Sequence, residues 1–73
     1  MLYMGYLKLS IKKDGVVYYL YVTHQPVFDK KTGEHLYHEY VISYVSGNKI
    51  LTLVRNQDFE KAVQSTIDEL EKL

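Results

Sequence analysis

Tyr6-Leu7-Lys8-Leu9-Ser10-Ile11-Lys12-Lys13-Asp14-Gly15-Val16-Val17-Tyr18-Tyr19-Leu20-Tyr21-Val22 places two alternating runs on either side of an Asp-Gly pair. Leu7, Leu9 and Ile11 fall on one side and Tyr6, Lys8, Ser10 and Lys12 on the other, the period of a half-buried strand. Asp14-Gly15 favours a two-residue type I′ turn, because both central positions of that turn need positive φ. Such a loop pairs Lys13 with Val16, and the rest of the register follows. Ile11 faces Tyr18, Leu9 faces Leu20 and Leu7 faces Val22, while Lys12, Ser10 and Lys8 face Val17, Tyr19 and Tyr21. The two strands agree on which side is apolar, so the turn and the register support each other.

Working outward, the second strand ends near Pro26, which cannot donate to a ladder and suits a strand end or an edge. Asp29-Lys30-Lys31-Thr32-Gly33-Glu34 is polar, has Gly in its second half, and separates Val27-Phe28 from Leu36-Tyr37 as a longer hairpin loop. A third strand is expected over 35–46. Gly47-Asn48 then supplies a II′-type turn into a fourth strand over 49–56. From Asp58 the period changes: Phe59, Ala62, Val63, Thr66, Ile67, Leu70 and Leu73 form one helical stripe, with Asp58 as N-cap. The expectation is an α+β fold, a four-stranded antiparallel β-meander with one C-terminal amphipathic helix on one face (ββββα). Its strands fall near 3–13, 16–27, 35–46 and 49–56, its helix near 58–73, all in one domain.

This sheet has too much apolar surface for one helix. The Gly47-Asn48 register pairs Tyr44 with Leu51, Ile42 with Leu53 and Tyr40 with Arg55 on one side. On the other it pairs Val45 with Ile50, Ser43 with Thr52 and Val41 with Val54, so neither side is clearly polar. Which side joins the Leu20 face depends on the Asp29 to Glu34 loop, where one bulge residue flips the answer. With Leu20 opposite Ser43, the open face collects Tyr6, Tyr19, Tyr21, Tyr40, Ile42, Tyr44, Leu51 and Leu53. With Leu20 opposite Tyr44, it collects Tyr6, Tyr19, Tyr21, Val41, Val45, Ile50 and Val54. A helix of about fifteen residues is about 22 Å long and covers one face of such a sheet. The other face is left to meet a second copy, a partner, or the sheet itself curled toward a barrel.

Composition narrows the functions. The 73 residues bury one modest core, and the lack of Cys removes disulfides, thiolate zinc sites and a cysteine nucleophile. Nine basic side chains balance nine acidic ones, which argues against a generic polyanion binder. That balance hides a polarity. Residues 1–57 hold seven basic and four acidic side chains, net +3, and residues 58–73 hold two and five, net −3. No run of 18 apolar residues and no signal-peptide pattern is present, so a cytoplasmic protein without membrane association is expected, with Met4 as an alternative start.

The motifs are sparse. Lys8 and Lys12 share a face with Tyr6, Tyr19 and Tyr21, an arrangement that serves a protein interface or, by stacking bases and holding phosphates, a single strand of nucleic acid. The plainer alternative is that tyrosines fill a sheet and lysines protect an edge. His24, His35 and His38 suggest a metal, but His35 and His38 are three apart in a strand and so point to opposite faces; no metal site is expected. Ser10, Ser43, Ser46 and Ser65 lack a nucleophile-elbow context. Asp29 with Glu34, or Glu39 near His38, are ordinary surface carboxylates. Catalysis and a cofactor are therefore not expected.

No motif assigns the chain to a family. In style it resembles the compact, motif-poor products of bacteriophages and mobile elements, including inhibitors that dock on a host protein. The expected function is a non-enzymatic protein-interaction module, with Tyr6, Lys8, Lys12, Tyr19 and Tyr21 as partner-binding residues. A nucleic-acid module using the same face, or a homodimer with its function elsewhere, are the alternatives.

Overall fold

The computed structural model describes residues 6–72. β1 (Tyr6–Lys13), β2 (Val16–Phe28), β3 (His35–Ser46) and β4 (Lys49–Asn56) form one antiparallel sheet in the order β1-β2-β3-β4, followed by helix α1 (Phe59–Leu70). The ββββα expectation holds. Tyr3, Met4, Gly5 and Leu73, at the outer ends of the expected first strand and helix, lie outside the described residues.

The turn chemistry is as the residue types require. Asp14 and Gly15 have φ of 52° and 78°, both positive as a type I′ turn demands, and β1 pairs with β2 in the expected register from Lys13–Val16 to Leu7–Val22. Gly47 has φ of 61° at the first central position of the β3–β4 turn. In the β2–β3 loop the Asp29 carboxylate accepts from the amides of Lys31 (2.7 Å) and Thr32 (3.0 Å). The Gly33 amide donates to the Asp29 carbonyl at 2.9 Å, and the Asp29 amide donates to the Glu34 carbonyl at 2.8 Å.

β2 and β3 pair with Leu20 opposite Tyr44 and Val22 opposite Ile42, so the alternative with Leu20 opposite Ser43 is excluded. The side facing α1 therefore gathers Leu20, Val22, Ile42, Tyr40 and Tyr44. Two bulges modify the ladder. One makes Phe28 the partner of His35 while Val27 still pairs with Tyr37, leaving Leu36 as the extra residue. The other makes Val54 the partner of Ile42 while Thr52 pairs with Ser43, leaving Leu53 extra. This second bulge corrects the expected pairing of Ile42 with Leu53 and Val41 with Val54. Past the extra residue every side chain of β4 changes sides, so Val54 joins the core and Arg55 moves to the open face.

Helix α1 is about 18 Å long and lies across β3 and β4. The Asp58 side chain caps it by accepting from the Lys61 amide at 3.1 Å. Ala62, Thr66 and Leu70, spaced by four, are its buried residues. Small side chains at the first two bring the helix close to the sheet. The Thr66 hydroxyl, fully buried, donates back to the Ala62 carbonyl at 2.7 Å, so no polar group is stranded there. Leu20, Val22, Ile42, Val54 and Ala62 are the centre of the core; each large aliphatic side chain buried here contributes about 1.5–3 kcal/mol. Phe59, expected in the buried stripe, sits instead at the rim with its ring edge-on to Tyr40 at 5.2 Å.

The last turn of α1 has no basic residue. Lys13, at the end of β1, supplies that charge: its Nζ is shielded from solvent and lies 2.9 Å from Glu71 Oε1, an ion pair without hydrogen-bond geometry. A cation placed there favours the negative end of the helix.

Candidate functional site

The face of the sheet turned away from α1 carries Tyr6, Lys8, Ser10 and Lys12 from β1. Val17, Tyr19, Tyr21 and Thr23 from β2 lie beside them by register, and Gln25 follows on the same side opposite Glu39. All five expected partner-binding residues are thus on one side. Tyr6, Lys8, Lys12 and Tyr19 are exposed, and Tyr21 is half-buried. Tyr6 meets Tyr21 edge-to-face at 5.2 Å, a pairing that fixes both rings.

β3 and β4 complete the face in two different ways. Near the β3–β4 turn, Val45 and Ile50 continue the apolar surface, and Ile50 is 71% exposed, comparable with Tyr19 at 68%. A concavity of about 480 Å³ runs across all four strands between Tyr6, Tyr21, Thr23, Ser43, Val45 and Ile50. A second of about 380 Å³ is lined by Lys8, Ser10, Tyr19 and Tyr21. Toward the other end the face closes over itself. Val41 is only 4% exposed between Thr23 and Arg55; Arg55 pairs with Glu39 at 2.8 Å, and Gln25 donates to Thr23 at 2.7 Å. The available apolar patch is therefore Tyr6, Val17, Tyr19 and Ile50 rather than the whole face. Val17 and Ile50 were not among the expected binding residues, although their places in the two turn-defined registers put them there.

A separate cluster occupies the helix side of the β2–β3 extension. The Leu36 bulge overturns the reasoning that sets His35 and His38 on opposite faces: with one residue added between them they share a side, and His24 lies beside them. Rings follow one another from the hairpin tip to the start of α1. Phe28 to His35 is 5.7 Å between centroids, His35 to His38 4.6 Å, His38 to His24 5.1 Å, His24 to Tyr40 4.4 Å and Tyr40 to Phe59 5.2 Å. A His-x-Pro-x-Phe run facing a His-x-Tyr run was the available signal; the β2–β3 register sets His24, His38 and Tyr40 together, and the bulge adds His35.

Among titratable groups, hydrogen bonds from the backbone amides of Thr32 and Lys31 hold the Asp29 carboxyl below its ordinary value. This accounts for Asp29 as a loop-building residue. Glu39 is engaged by Arg55. Among the described residues no helix is long and apolar enough to cross a membrane. No family model, curated protein or solved structure matches the chain.

Proposed function

We propose that the chain is a small non-enzymatic protein-interaction module that docks on a protein partner through the open sheet face. The observation that carries this reading is the exposure of Tyr6, Val17, Tyr19 and Ile50 beside a concavity, on the side that α1 does not cover. Tyrosine gives large contact area with few rotatable bonds, and an aromatic patch with a polar rim is the usual anatomy of a protein interface. Tyr19, Tyr6 and Tyr21 supply the buried area, and Lys8 and Lys12 orient an acidic partner surface. In its most specific form this is an inhibitor or regulator of the phage or mobile-element kind, acting by occluding the surface it covers.

Truncating two aromatic anchors tests it. Tyr19→Ala combined with Tyr21→Ala is expected to keep the fold, because neither residue belongs to the core centre, and to weaken capture of the partner. A hot-spot aromatic contributes about 2 kcal/mol or more, about 30-fold in Kd. Retention of every partner at wild-type strength in a pull-down with the folded variant overturns the reading.

The concavity lined by Lys8, Ser10, Tyr19 and Tyr21 favours a second reading, a single-stranded nucleic-acid module. That alternative predicts a low-salt mobility shift that fades steeply with salt and is lost in Lys8→Glu. A concentration-dependent dimer in light scattering, lost with the same tyrosines, assigns the face to self-association instead.

A further inference from the structure

We propose that His35 and His38, joined by His24, form a binding site for a divalent transition-metal ion of the Zn²⁺, Ni²⁺ and Cu²⁺ group. Nε2 of His35 and Nδ1 of His38 stand 3.1 Å apart. Two imidazole nitrogens bound to zinc at about 2.0–2.1 Å with that separation subtend about 98° at the metal, between square and tetrahedral values. The separation of the pair matches the bite of a metal, and binding turns both rings from facing each other to facing the ion.

The register explains why the pair is so close. Residues three apart in a regular strand point to opposite sides, and the extra residue Leu36 brings both rings to the same one. His24, on the adjacent strand, is the third imidazole, its ring centroid 5.1 Å from that of His38. Three imidazoles leave a fourth position for water, the ligand set of an open zinc site. Among the described residues no group of three or more His, Asp or Glu already converges on one point. Binding therefore draws His24 from its stack on Tyr40 by a side-chain rotation, which its exposure permits.

The proton balance is simple. The short contact between the two rings is a hydrogen bond, one nitrogen donating its proton and the other accepting. When a metal takes both nitrogens, the donor ring carries its proton on its other nitrogen as the second tautomer. The order of affinities should follow ligand type, with Cu²⁺ above Zn²⁺ and Ni²⁺. The site is on the opposite side of the sheet from the proposed docking face, so each stands or falls without the other.

The experiment is a Zn²⁺ titration of the full chain without an affinity tag, followed by calorimetry and by NMR of the imidazole ring signals. One Zn²⁺ per chain is expected, with ring shifts in His24, His35 and His38. Removing even an outer-shell partner costs about 10–100-fold in metal affinity, so loss of a direct ligand in His38→Ala should cost more than about 10-fold, and His24→Ala less than His38→Ala. His35→Ala provides the same reading should His38→Ala not retain the wild-type amide spectrum. Absence of saturable binding, undiminished affinity in a folded His38→Ala or His35→Ala chain, or one metal shared by two chains overturns the proposal.

Discussion

β2 and β3 run through two regions that are held together differently. Where they are flanked by β1 and β4 and covered by α1, their inward side chains include Leu20, Val22 and Ile42, each at most 5% exposed. Beyond Thr23 and Tyr40, among the described residues, the same two strands continue as a pair. Their side chains on the α1 side are His24, Pro26, Phe28, His35 and His38, all exposed. The body rests on apolar burial. The extension rests on ladder hydrogen bonds, stacked rings and a loop built around Asp29. Elements with little buried apolar area open at lower free energy than the core, so one continuous pair of strands contains two levels of stability.

The largest effect separates the regions from the body side. Ile42 is fully buried against Val22 and Val54, and Ile42→Ala is expected to cost about 2–5 kcal/mol in denaturant unfolding. Total stability runs at about 0.05–0.15 kcal/mol per residue, so this variant approaches global unfolding. A loss below about 1 kcal/mol means that the core lies elsewhere.

A smaller effect addresses the joint. Tyr40 stacks on His24 on one side and meets Phe59 on the other, linking the extension to the first turn of α1. Tyr40→Leu keeps apolar volume and removes both ring pairs, each contributing about 0.5–1.5 kcal/mol beyond its area. Amide exchange should rise in β2 and β3 beyond Thr23 and Tyr40 while protection at Leu20 and Val22 is maintained. A uniform rise through both regions would show a single cooperative unit and remove the distinction.

The smallest effect is confined to the loop. The folded state holds the Asp29 carboxyl below its ordinary value, so its contribution is complete above the ordinary aspartate range of about 3.9 and is lost as pH falls through the lower folded value. The amides of Lys31 and Thr32 should report this transition on acid titration, and Asp29→Asn should abolish it without changing the body. An identical acid profile in Asp29→Asn assigns the transition to another carboxylate.

The turns account for how much of this was legible in the residues. Asp14-Gly15 has one favoured geometry, and it determined the β1–β2 register and the side on which Tyr19, Tyr21, Lys8 and Lys12 lie. The change from period two to a helical period after Asp58 likewise marked α1. The bulges were not legible. Leu53 and Val54 are adjacent aliphatic residues, so either one satisfies a core-facing position and hydrophobicity does not say which is extra. Leu36 is exposed, so no burial pattern marks it. Each bulge reverses the sides of everything beyond it, which is why Val54 was set on the open face and His35 and His38 on opposite sides.

The strand order has a consequence for how the chain reaches this state. Among the described residues each strand after the first pairs with its immediate predecessor, and β1 and β4 are not neighbours. No step requires the two ends of the sheet to be joined, and each hairpin adds to one already in place. Low sequence separation between partners keeps the entropy of loop closure small and favours rapid folding. The two-residue turns at Asp14-Gly15 and Gly47-Asn48 are the shortest loops to close, and α1 packs on β3 and β4, the two strands that precede it in the chain.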